Sequence, residues 1–76
     1  MASTDNPYLV PGLERGMQIL MLFDRTRREI GAPAIAQSLG IPRTTVFRLL
    51  QTLQHLGLVV ATDSGAYRLG PAVLRL

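Results

Sequence analysis

The chain has 76 residues and a formal net charge of +3, and all eight of its basic residues are arginine. That length allows one small domain with a modest core. Cysteine is absent and His55 is the single histidine, which excludes disulfides, thiolate metal ligands and a metal centre built on histidine. The positive balance favours an anionic partner, nucleic acid first among them.

Residues 1–10 (MASTDNPYLV) have the small, polar, proline-containing composition of a flexible N-terminal arm. They carry no basic leader, and the apolar run from Ile19 to Phe23 is far too short to span a bilayer, so the chain reads as cytoplasmic with no membrane partner. The first helix is predicted from Gly12 to Asp24. Leu13, Met17, Leu20 and Met21 share one of its faces, expected to pack inward, while Ile19, Leu22 and Phe23 lie toward the opposite side. A helix apolar on both sides implies a second buried surface. Either the arm folds back over it with Tyr8, Leu9 and Val10, or Ile19, Leu22 and Phe23 form a dimer interface, which is the reading adopted.

The polar stretch Arg25-Thr-Arg-Arg-Glu29 follows, then a very short strand at Ile30–Gly31. Pro33 opens a second helix, because proline suits a first turn where its missing N–H has no partner, and Gly40 closes it. Pro42 opens a third helix that runs to about Leu56 and stops at Gly57. Beyond Gly57 the pattern becomes extended. Leu58–Thr62 and Ala66–Leu69 flank Asp63-Ser64-Gly65 and predict a hairpin with a three-residue turn. Residues 71–76, opening on Pro71, read as the start of a linker helix. The predicted fold is mainly α with a small β-hairpin: a winged helix-turn-helix of three helices plus a wing over residues 11–70.

The segment 33–56, PAIAQSLGIPRTTVFRLLQTLQHL, holds the functional content. Ile35, Ala36 and Leu39 recur on one helical face and Val46, Leu49, Leu50 and Leu53 on another, pivoting about Gly40 as in a helix-turn-helix. The other side of the third helix carries Thr44, Arg48 and Gln51, with Phe47 at its edge. These types suit base reading in the major groove: arginine donates twice to guanine, glutamine pairs with adenine, and a ring or threonine methyl touches thymine. Arg43, Thr44 and Thr45 occupy the first turn, where free N–H groups and the helix dipole favour a phosphate. Arg27 and Arg28 in the loop and Arg68 in the wing are further phosphate candidates. His55, near the end of the helix, reads as a solvated surface histidine. Ser38, Ser64, His55 and the acids show no spacing of nucleophile, base and orienting group, so neither an enzyme nor a cofactor or metal is expected.

Taken together, Gly12-Leu-Glu-Arg-Gly-Met-Gln-Ile-Leu, the stretch from Ile35 to Leu53 and Gly65-Ala-Tyr-Arg-Leu-Gly70 resemble the N-terminal DNA-binding domain of the IclR family of bacterial transcriptional regulators. The resemblance covers roughly residues 10–76. It implies a winged helix-turn-helix that dimerises through the first helix and binds a palindrome-like double-stranded operator. It also implies a small-molecule effector, held by a C-terminal domain outside this chain. By position, Arg43, Thr44, Thr45 and Arg48 match the family's recognition helix, and Tyr67-Arg68-Leu69-Gly70 its wing exit. Two features depart from the pattern: Pro11-Gly12 stands where relatives place a serine or threonine, and the wing tip carries Asp63 with no base. The alternative is a winged-helix module used for protein–protein contact without DNA binding.

Overall fold

The computed structural model describes residues 6–76; residues 1–5 of the expected arm lie outside the described residues. The elements run α1 (Pro11–Met21), α2 (Ala32–Leu39), α3 (Arg43–His55), β1 (Val59–Ala61), β2 (Tyr67–Leu69) and a 3-10 helix (Pro71–Arg75). Among the described residues no helix is long and apolar enough to cross a membrane.

Pro11 sits in the first turn of α1 behind an extended Val10 that offers no side-chain cap. The helix ends at Met21, short of Asp24, because a competing turn takes over. The Leu22 and Phe23 amides donate to the carbonyls of Ile19 and Leu20, tightening the last turn. The Asp24 carboxylate then accepts from the Thr26 amide, the Thr26 hydroxyl and the Arg27 amide, each at 2.9 Å. An aspartate that satisfies the backbone this way favours a turn over another helical residue.

Gly40 closes α2 at φ 68°, donating to the Ala36 carbonyl at 2.8 Å. After α3, Gly57 turns at φ 79° and the Leu58 amide reaches back to the Leu53 carbonyl at 2.9 Å, which aims the chain into the hairpin. β1 and β2 are antiparallel, with Val59 opposite Leu69, Val60 opposite Arg68 and Ala61 opposite Tyr67. The short strand expected at Ile30 is a single bridge: Ile30 and Tyr67 exchange two 2.9 Å bonds, placing the loop after α1 along β2.

One core unites these elements: Ile19 and Phe23, Ile30, Ile35 and Ala36 of α2, Val46, Leu50 and Leu53 of α3, and Val59 of β1. Its composition corrects the reading of the first helix. Ile19 is fully buried and Phe23 is buried, whereas Leu13 and Met21 are 67% and 71% exposed. Gly16 is buried against α3, where a Cβ would lie at an ordinary contact distance of 3.9 Å from the Leu53 side chain. α1 packs on the core along Gly16, Ile19 and Phe23, and Leu13, Met17 and Met21 are left exposed. With both faces apolar, periodicity carries no sign of which one is buried. Nor does the described part of the arm cover the exposed face, since Tyr8, Leu9 and Val10 are themselves exposed.

The junction after the wing is tighter than its sequence shows. The Gly70 amide donates to the Leu58 carbonyl at 2.8 Å and the Ala72 amide to the Gly57 carbonyl at 3.0 Å, and the next turn is 3-10 rather than α. A Cβ on Gly70 would collide with the Gly57 carbonyl, backbone against backbone. Gly70→Ala is therefore expected to cost about 1–3 kcal/mol, as overpacking does. Thermal denaturation checks this; an unchanged midpoint contradicts it.

Candidate nucleic-acid interface

The third helix is built to be gripped on one side only. Val46 and Leu50 are completely buried and Leu53 nearly so, while Thr44, Arg48, Gln51 and His55 are all exposed. Their spacing of four, three and four residues stacks the exposed four into one stripe along the helix, diametrically opposite the buried three. Phe47 borders that stripe and is 54% exposed. Its ring is free to make apolar contact beside the polar four. Thr45, half-buried, lies on the other flank, where with Arg48, Leu49 and Thr52 it lines a shallow depression.

At the start of α3 the chain arrives extended through Pro42, and the first intrahelical bond to it comes from the Val46 amide. The amides of Arg43, Thr44 and Thr45 thus point out of the helix with no intrahelical acceptor. No side chain caps this end. Free amides, the positive end of the helix dipole and the Arg43 guanidinium all favour an anion here.

The remaining predicted phosphate contacts divide. Arg28 and Arg68 come together, joined by Arg25, around a concavity of about 320 Å³ with Phe23, Asp24 and Leu69 in its walls. The Ile30–Tyr67 bridge causes this, because it lays the loop after α1 against the outgoing strand of the wing. Arg27 does not line the concavity; its amide belongs to the Asp24 turn. The wing tip is polar without a base: the Thr62 and Ser64 hydroxyls bond at 3.0 Å, and Ser64 donates to Glu29 at 3.5 Å.

Asp24 controls the loop that carries these arginines. Its carboxyl is held below its ordinary value, foremost by the Thr26 hydroxyl, then by the Thr26 amide, with the Arg27 amide and charge adding less. A depressed carboxyl stabilises the fold above its unfolded value, and the contribution is lost as pH falls through the folded value. The Thr26 and Arg27 amides should accordingly lose exchange protection in acid before the helices do; protection that persists until global unfolding contradicts this.

The residues expected at a dimer interface are placed differently. Ile19 and Phe23 belong to the core and Leu22 is half-buried. The apolar surface left on α1 is Leu13, Met17 and Met21, and beside it Gly12, Leu13, Gly16 and Met17 face Leu49, Thr52, Leu53 and Leu56 of the α3 side across an apolar groove. Sequence reasoning found this surface but assigned it inward, since periodicity does not say which of two apolar faces is buried. Ile19→Asp should unfold the domain, burying an unpaired charge, while Met17→Asp should leave its melting midpoint within a few degrees. Equal midpoints for the two variants contradict the placement.

Three helices, a hairpin after the third and a free outer face on that helix define a winged helix-turn-helix of the DNA-binding type. Residues 12–63 match the IclR helix-turn-helix domain. The chain is 41% identical over 68 residues to the glycerol operon regulatory protein of Streptomyces coelicolor, covering 88% of this chain and 27% of that protein. It is 35% identical over 75 residues to the Pca regulon regulatory protein of Pseudomonas putida, covering 99% and 25%. Among solved structures, an IclR family transcriptional regulator from Brucella abortus superposes with a TM-score of 0.87 at 37% identity, over 92% of this chain and 27% of that one. The chain belongs to the IclR family of transcriptional regulators and is a DNA-binding domain of that class, spanning about a quarter of the length of these relatives.

Proposed function

We propose that this domain reads a palindrome-like operator as a dimer, with α3 of each chain in the major groove of one half-site. The observation that carries this reading is the exposed Thr44, Arg48 and Gln51 stripe, bordered by Phe47, on a helix whose opposite side is wholly committed to the core. Arg48 donates to a guanine edge, Gln51 pairs with an adenine, and Phe47 and Thr44 touch thymine methyls. Arg43 and the amides of Thr44 and Thr45 hold a phosphate at the start of the helix, and Arg28 and Arg68 hold the backbone beside the wing, with Arg27 close by. A small-molecule response belongs to sequence outside these 76 residues, and the site of action is the cytoplasm.

Dimerisation through α1 is retained in this proposal with its face reassigned to Leu13, Met17 and Met21. Those side chains support it because they form an apolar stripe that the described residues leave uncovered.

Arg48→Ala is expected to lower affinity for the selected operator by about 1–3 kcal/mol and to relax preference at one base position. Arg43→Ala should weaken binding to every duplex alike and reduce the salt slope by about 1. Binding-site selection and salt titrations measure both. Unchanged specificity in the first variant, or an unaltered slope in the second, removes that residue from its role. Met17→Asp should reduce the DNA-bound stoichiometry from two chains to one, and a persisting two-chain complex excludes this face as the interface.

A further inference from the structure

His55 completes the exposed stripe of α3, and nothing in base reading requires it. It follows Gln51 by one turn and lies in line with Thr44 and Arg48, exposed, in the last turn of the helix. The stripe from Thr44 to His55 is about 16 Å long, longer than the roughly 12 Å width of a major groove. When the first half of such a helix contacts base edges, its last turn emerges over the backbone of one strand. We propose that His55 is a phosphate contact that binds in its protonated form, so that DNA binding by this domain takes up a proton at each chain. The inference rests on α3 being the DNA-reading helix.

The surroundings of His55 suit that role. The C-terminal end of a helix carries partial negative charge and favours a cation in its last turn, and a phosphate on the outer side adds full negative charge. Among the elements packed on α3, α2 and β1 contain no charged residue. On α1, Glu14 projects opposite Gly16, and Arg15 borders the Ile19 side, away from the groove beside Thr52 and Leu56. On α3 itself the charged groups are Arg43 and Arg48, and Arg48 is two turns away. Arg75 stands beyond the helix end, on the 3-10 turn that packs at Gly57. The arginines keep their charge throughout the accessible pH range, whereas a histidine changes charge between about pH 5 and pH 8. A proton taken up on binding is then a signature of the imidazole.

Fluorescence anisotropy with a mixed-sequence duplex, and with the tightest duplex selected from it, tests this at constant ionic strength. The dissociation constant should fall about tenfold between about pH 7.5 and pH 5.5. The salt slope should steepen by about 0.9 per chain over the same interval, as an added phosphate contact requires. His55→Gln should bind with the high-pH affinity at both pH values, and His55→Lys with the steeper salt slope at both. A pH dependence that survives in His55→Gln overturns the proposal, as does a wild-type domain that binds duplex equally at both pH values. Failure of the wild-type domain to bind any duplex at either pH overturns the DNA reading itself, and this proposal with it.

Discussion

The burial of one side of α3 is the constraint on which the rest of this small domain depends. Val46, Leu50 and Leu53 are gripped by α1, α2 and β1 together, in one core with Ile19, Phe23, Ile30, Ile35 and Val59. In a domain this small the helix shares one core with all of its neighbours. Because the grip is confined to one side, Thr44, Phe47, Arg48, Gln51 and His55 are presented on a helix that cannot roll. Rigidity on the inner face is what makes the outer face specific, since base readout depends on side chains arriving at fixed heights and angles.

Each neighbouring feature serves that placement. Gly16 of α1 lies against Leu53, and Gly40 reverses the chain so that α2 braces α3. The Leu58 amide returning to Leu53 turns the helix end into the wing, and the Ile30–Tyr67 bridge carries the arginine loop beside it. Charge follows the same arrangement. Arg43 and Arg48 lie on α3, Arg25, Arg28 and Arg68 gather at the wing, and the Asp24 carboxylate is occupied by the turn it organises.

Much of this was legible in the sequence, and the residues explain how much. Gly40, Gly57 and Gly65 all adopt positive φ, as expected of glycines at helix ends and a hairpin turn, so the order of elements followed directly. The outward face of α3 was readable because its two sides differ sharply in polarity. On α1 they do not: Leu13, Met17 and Met21 are as apolar as Ile19 and Phe23, and which side is buried depends on how the helix sits on the core in three dimensions. The gathering of Arg25 and Arg28 with Arg68 was hidden for a related reason, as it follows from a single bridge between residues far apart in the chain. His55 was readable as a polar residue; its alignment with Thr44, Arg48 and Gln51 acquires meaning only once the buried side of the helix is fixed.

The central claim is that one exposed stripe of α3 meets duplex DNA. Backbone amide shifts of the isotopically labelled domain, followed as a selected duplex is titrated in, test it most directly. The account predicts that the largest changes fall on Thr44, Phe47, Arg48, Gln51 and the first-turn amides, with the core residues Val46 and Leu50 following weakly. Shifts concentrated away from α3, or none under conditions where binding is saturated, would contradict it.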